Sequence, residues 1–462
     1  MNELKMEYKN SNKVEPNLKE PKTSWAIIKN GANQSDLFLS QAQKKDKILK
    51  REQSSTFINN LSLPIHRWFR FSAGFSAEWV RKVLLEEYEQ GRKNVLDPFA
   101  GSGTVLLESE YCEYNSIGID SHPFISKVGK AKLNWNVDYK VFLEAGISVL
   151  KKAKQLDISL SEPPKLVKNC FYEGYYERLK KIFKAVDESK FHESIHSLLW
   201  LASISIIREC SSAGTAPWQY VLPEKEKKNV SEPYKAFENK IYLMASDIKE
   251  RQRWETGRGA NYICGDARDM KEVDDNWADL VITSPPYANN YDYADAVRLE
   301  LTVLGEIERW KDLHDEVRKY LLPSCTQHVT RVRDQTMEIA NDPILEPIRS
   351  EFLPVIEKLE EQRNLKKGKK VYDTMVASYF RDMAKVWKNL RKKTNQDSKV
   401  CFVIGDSAPY GVYLPVDKWF GELALAYGFK SFEFEKTRDR NIKWKNRKHR
   451  VPLKEGRLWV KG

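Results

Sequence analysis

The chain has 462 residues, 41% of them hydrophobic, enough for one large domain with insertions or for two or three domains. Lys and Arg number 77 against 65 Asp and Glu, a formal net charge of +12 that favours a polyanionic partner, nucleic acid foremost. The 6 cysteines include no Cys-x-x-Cys pair and none near a second ligand at metal spacing, which argues against a disulfide framework and a zinc site; the polar stretch from Met1 to Lys13 excludes a secretory signal, and the longest apolar run, Leu198 to Ile207, is too short to span a bilayer. A cytoplasmic protein with no membrane attachment and no metal is expected.

Residues 1–60 are polar and Lys-rich and read as an N-terminal arm. From 61 to 125 the pattern becomes that of an α/β domain. Val80, Val83, Leu84 and Tyr88 fall at helical spacing, and Asn94 to Asp97 reads as a short buried strand. Gly101-Ser102-Gly103-Thr104 then opens a helix over Val105 to Cys112, and Ser116 to Asp120 is a second strand ending in an acid. Residues 126–258 turn largely helical and form an insertion. Strand character returns at Tyr262 to Asp266 and at Asp279 to Thr283, which start the second part of the domain, 259–462. A rim insertion over 289–370 begins with a helix, Ala294 to Leu304, and becomes charged and loop-rich. Met375, Val376, Tyr379, Phe380, Met383, Val386, Trp387 and Leu390 mark an amphipathic helix. A strand at Val400 to Ile404, a helix over Val416 to Tyr427 and an antiparallel hairpin of Ser431 to Lys436 with Arg457 to Lys461 complete the chain. Strands alternating with helices predict a Rossmann-like, doubly wound α/β sheet of about seven strands, the last antiparallel, with helical insertions.

The first strand ends in Asp97-Pro98-Phe99-Ala100-Gly101-Ser102-Gly103-Thr104. Glycines at 101 and 103 let backbone approach a ligand and tolerate positive φ, and open α/β sheets bind ligands at such strand ends. Asp120, about 20 residues after the loop, can reach a ribose diol, and Asp266 can reach the exocyclic amine of an adenine. Directly after the strand ending at Thr283 stands Ser284-Pro285-Pro286-Tyr287.

The stretch from Asp97 to Thr104 resembles the cofactor motif of amino-group DNA methyltransferases, and Ser284 to Tyr287 resembles their catalytic motif. Arg70 to Ser76 is similar to the segment that precedes the cofactor motif in many members. The resemblance implies a class I fold that uses S-adenosylmethionine. It implies that Phe99, Gly101, Gly103 and Thr104 shape the cofactor pocket, with Asp97 near the methionine moiety, Asp120 on the ribose and Asp266 on the adenine. In the catalytic loop, the Ser284 hydroxyl and the Pro285 carbonyl are acceptors aimed at the N–H groups of an exocyclic amine, whose lone pair is otherwise delocalised into the ring. Two prolines stiffen the loop, and Tyr287 offers a face for a flipped base. No Pro-Cys dipeptide occurs, which argues against the ring-carbon cytosine methyltransferases.

Ser in the first position of the tetrapeptide mostly accompanies N4-cytosine methylation in this family, so a site-specific cytosine-N4 enzyme acting on double-stranded DNA, the modification part of a restriction-modification system with a cognate endonuclease, is expected. Adenine-N6 methylation, tRNA guanine-N2 methylation and a degenerate, non-enzymatic nucleic-acid-binding fold are the alternatives. Phosphate contacts are expected from Arg438, Arg440, Lys443, Lys445, Arg447, Lys448 and Arg450 of a C-terminal basic hairpin, and sequence readout from one of the two insertions, the larger helical one in preference to the rim insertion.

Overall fold

The computed structural model describes residues 57–71, 74–216, 219–253, 259–367, 369–440 and 451–462. Most of the expected N-terminal arm, and Lys443, Lys445, Arg447, Lys448 and Arg450, lie outside the described residues.

Ser76 is extended, and its side chain accepts the Trp79 N–H, so α1 (Ala77–Glu89) starts at the next residue. Strand β1 (Asn94–Asp97) leads through the glycine-rich turn to α2 (Thr104–Tyr111), and β2 (Asn115–Asp120) follows. The insertion then supplies α3 (Pro123–Leu133), α4 (Tyr139–Gln155), α5 (Tyr175–Asp187), α6 (Glu193–Ser205) and α7 (Pro233–Arg251). Phe142, Leu179, Leu198, Phe237 and Ile241 share its apolar core. An antiparallel pair not anticipated from the sequence, β3 (Ala213–Thr215) and β4 (Val221–Glu226), interrupts these helices.

Strands β5 (Ala260–Cys264) and β6 (Ala278–Thr283) return to the main sheet. The rim insertion contains α8 (Arg298–Leu304) and, where loop was expected, the 17-residue helix α9 (Arg349–Leu365). Helix α10 (Tyr372–Lys393), β7 (Thr394–Gly405), α11 (Val416–Ala426), β8 (Ser431–Arg440) and β9 (Leu453–Lys461) complete the fold.

The seven-stranded sheet has the order β5-β2-β1-β6-β7-β9-β8. The first five strands pair in parallel, and β9 runs antiparallel between β7 and β8. This is the class I methyltransferase arrangement expected. Side chains alternate across the sheet with period two. Val95, Leu280, Ile282 and Val403 pack with Val80, Leu84, Val105 and Leu106 of α1 and α2. Leu96, Val281, Phe402 and Ile404 pack with Phe380, Trp387, Phe420 and Leu423 of α10 and α11. Trp387 and Phe402 stack at 4.4 Å between ring centroids. Each large side chain fully buried in this way contributes about 1.5–3 kcal/mol, so the sheet is clamped from both faces. Its carboxyl-end loops are thereby set on a rigid base. No helix among the described residues is long and apolar enough to cross a membrane.

Candidate active site

Asp97 ends β1. Its Oδ1 accepts the Thr283 hydroxyl at 2.6 Å and the Phe99 N–H at 3.1 Å. The ends of β1 and β6 are therefore joined one residue before Ser284. Asp97 is 1% exposed, and its Oδ2 has no partner among the described residues. Burial pushes this carboxyl up to about 7, against the pull of the Thr283 hydroxyl and the Phe99 N–H. Three residues on, the backbone turns sharply. Gly101 has φ +51°, and a Cβ there would sit 3.0 Å from the Phe71 ring. Its N–H donates to Asp120 Oδ2 at 2.9 Å, and its carbonyl accepts the Tyr262 hydroxyl at 2.6 Å.

Asp120 ends β2. Its other oxygen accepts the His122 N–H at 2.8 Å. A carboxylate has about four acceptor sites, so two remain for a diol. Burial pushes the Asp120 carboxyl up to about 6. Asp266 stands on the same side of the cleft, but its oxygens accept the backbone N–H of Arg268 at 2.8 Å and the Arg268 guanidinium. The same guanidinium donates to Asp382 at 2.9 Å, so Asp266 belongs to a charged rim group.

The tetrapeptide follows β6. Ser284 Oγ donates to the Val403 carbonyl at 3.2 Å. With its proton engaged there, its lone pairs are left to accept. Pro285 is buried, and the Pro286 carbonyl accepts the Tyr379 hydroxyl at 2.7 Å, which pins the loop to α10. The Tyr287 ring lies against Gly405, where a Cβ would come within 3.1 Å of it, and carries the Arg440 guanidinium 5.2 Å from its centroid. Burial raises the Tyr287 phenol above its ordinary value.

These loops line a cleft that opens to solvent. Phe99, Gly101, Thr104, Asp120, Asp266, Ser284 and Pro286 are among its lining residues. Asp97, Gly103, Pro285 and Tyr287 adjoin these lining residues in the chain. Gly103, at φ +83°, precedes α2, and Asp97 braces the two strands instead of facing the cleft. Two cations of the expected basic hairpin, Arg438 and Arg440, are among the described residues. Arg438 makes two 3.0 Å hydrogen bonds to the Glu455 carboxylate. Arg440 donates to the Asp406 carbonyl at 2.9 Å and lies 3.6 Å from Glu455. Both cations are matched within the protein, and Arg440 turns toward Tyr287.

Two features were not visible in the sequence. His122 lines the cleft at 3% exposure, and neither ring nitrogen has a partner within hydrogen-bond geometry among the described residues. The Tyr293 backbone is near enough to influence the ring but outside that geometry. Burial pushes the imidazole down to about 4, so it is neutral at physiological pH. The second feature is Asp292. Its Oδ2 accepts Arg318 Nε at 3.0 Å and the Arg318 guanidinium at 2.7 Å. Its Oδ1 accepts the N–H groups of Ala294 and Asp295 at 3.2 and 3.3 Å, and the Asp292 N–H donates to the Tyr220 hydroxyl at 2.8 Å. Burial alone would raise this carboxyl, but His328 and Arg318 hold it at about 2. Asp292, Cys325 and His328 bring their donor atoms within 4.8 Å of one another, a grouping the sequence analysis did not pair. The arginine and backbone donors account for the carboxylate without an ion. Through Tyr220, which also packs on Tyr291 at 5.6 Å, the insertion supports the segment that follows the tetrapeptide.

A family model described as DNA methylase, of the N6- and N4-methylating type, matches residues 1–131. The type II methyltransferase M.BsoBI of Geobacillus stearothermophilus is 27% identical over 423 residues, covering 82% of each chain. M.AvaI of Anabaena variabilis, also a type II methyltransferase, is 23% identical over 426 residues, covering 83% of this chain and 84% of its own. M.MjaII of Methanocaldococcus jannaschii matches 147 residues at 29% identity, 30% of this chain and 27% of its own. No solved structure matches. Together with the sheet order and the two loops that meet in the cleft, these similarities support a DNA methyltransferase of the amino-methylating kind.

Proposed function

We propose that the chain methylates the exocyclic N4 amine of cytosine in duplex DNA, using S-adenosylmethionine, as the modification partner of a restriction endonuclease in the cytoplasm. The observation that carries this reading is the state of Ser284. Its hydroxyl donates to the Val403 carbonyl, it stands beside the Tyr287 phenol, and it lines the cleft, so its oxygen keeps a lone pair for an amine bound there. An amine presented there donates one N–H to Ser284 and one to the Pro285 carbonyl. This draws the nitrogen toward pyramidal geometry and frees its lone pair for attack.

The residues present fit the cofactor. Gly101 lacks the Cβ that would meet Phe71, and Asp120 keeps acceptor sites for a ribose diol beside it. Phe99, Thr104 and Asp266 complete the cofactor wall, with Asp97 and Gly103 adjoining it in the chain. When bound, S-adenosylmethionine supplies an electrophilic methyl group. Two prolines and the Tyr379 contact keep the amine in position, and such positioning carries much of the rate. The Tyr287 ring supports the flipped base, with Arg440 fixing the ring. The matched type II methyltransferases support the restriction-modification role.

The test is incorporation of tritiated methyl groups into unmethylated duplex DNA, followed by digestion to nucleosides. Label in N4-methylcytosine is expected, with Y287A losing turnover but retaining cofactor binding. Label in N6-methyladenine would refute the base assignment, and DNA binding without label would refute the enzymatic reading.

A further inference from the structure

We propose that His122 is a cofactor-contacting residue that hydrogen-bonds the nucleoside half of S-adenosylmethionine, an inference that rests on the cofactor reading above. Asp120 and His122 form one turn at the end of β2, closed by the 2.8 Å bond from the His122 N–H to Asp120 Oδ1. The second Asp120 oxygen is bonded to Gly101. Carboxylate, glycine loop and imidazole are therefore held in one register, and all three line the same cleft.

The imidazole is nine-tenths buried or more, yet both nitrogens lack partners, whereas buried polar groups in folded proteins are overwhelmingly paired. Among the described residues no group reaches hydrogen-bond geometry with them, the Tyr293 backbone lying near the ring but outside it. A ligand in the cleft can do so. A neutral imidazole offers one donor and one acceptor, which suits the hydroxyls and ring nitrogens of a nucleoside. The choice of the nucleoside half follows from the neighbours. His122 shares its turn with the carboxylate read as the ribose ligand, and the end of β2 pairs with the end of β5, which leads to Asp266 and Ala267 of the same cleft. A catalytic base for the target amine is the poorer role, because a tethered neutral ring beside Asp120 does not need to titrate to bind.

The experiment is calorimetric titration of the full chain with S-adenosylhomocysteine and, separately, with 5′-methylthioadenosine, which keeps the nucleoside and lacks the amino-acid end. Wild type, H122A, H122N and H122F are compared. H122A and H122F are expected to bind both probes about tenfold more weakly, equivalent to about 1.4 kcal/mol. H122N, whose amide donates and accepts, is expected to recover most of the loss. H122F keeps the ring volume, so it reports on the nitrogens even if H122A folds poorly. Unchanged affinity of H122F for both probes overturns the proposal while leaving the cofactor reading intact. A loss for S-adenosylhomocysteine but not for methylthioadenosine also overturns it, because the contact then lies on the amino-acid half. Failure of the wild type to bind either probe takes down the cofactor reading and this inference together.

Discussion

Asp97 is buried by the fold and ties down the end of β6 that leads into the Ser284 loop, and its burial has a measurable cost. Its carboxyl sits at about 7 in the folded chain, chiefly because it is buried, against about 3.9 when unfolded. A raised carboxyl pKa means that the folded state retains a proton that the unfolded state has released. The stabilisation is therefore complete below about pH 4 and is lost progressively as pH rises to about 7. Between pH 5.5 and pH 8 the loss spans about 1.5 pH units below the folded value, at about 1.4 kcal/mol per unit, or about 2 kcal/mol. D97N keeps an oxygen to accept from Thr283 and Phe99 and cannot ionise. Its stability relative to wild type should therefore rise by about 2 kcal/mol from pH 5.5 to pH 8. Urea unfolding of both proteins at the two pH values, followed by tryptophan fluorescence, measures this directly. Parallel pH profiles for wild type and D97N would refute the burial argument, and with it the idea that this acid serves as a brace.

Further outcomes follow from the same geometry. G101A forces a side chain onto φ +51° beside Phe71, at a cost of about 1–2 kcal/mol, so S-adenosylhomocysteine should bind about tenfold more weakly by calorimetry. Burial pushes the Asp120 carboxyl up to about 6, and on the proposed function its protonation would remove an acceptor from a bound ribose. Cofactor affinity of the wild type should fall as pH drops through 6, and that of D120N should stay flat over the same range. R440A removes the cation over Tyr287 and should slow turnover several-fold while leaving the salt dependence of duplex binding unchanged. A drop of about 0.9 in the slope of log affinity against log salt would instead mark Arg440 as a phosphate contact.

Strands β1, β6 and β7 were legible because each carries a short buried apolar run. Val95-Leu96 and Leu280-Val281-Ile282 also end beside acids or turn residues, which places the loops. Helix α10 was legible because eight apolar side chains recur on one face. The β3–β4 pair was not, because one strand has three residues and the other, Val221 to Glu226, alternates charge with little apolar content. Helix α9 was hidden by Pro354 and by a sparse face of Phe352, Ile356 and Leu359 among charged neighbours. In the site, the loops and their order were readable, but the partners of each polar atom were not. Arg440 reads as a surface cation in a basic run; only the pairing of β8 with β9 brings it to Glu455 and Tyr287. His122 reads as a residue between Ser121 and Pro123, and its unpartnered ring is a property of packing.

The strand order also constrains synthesis. β1 lies next to β6, so Val95 meets Leu280 only after the whole helical insertion has been made. β7 then waits for β9, the last strand to emerge, to cover its outer edge from Lys399 to Gly405. A nascent chain stalled in between presents an apolar, unpaired β7 edge, the kind of surface that recruits other chains. Ribosome-bound or C-terminally truncated forms should therefore depend on chaperones until the final strand is released.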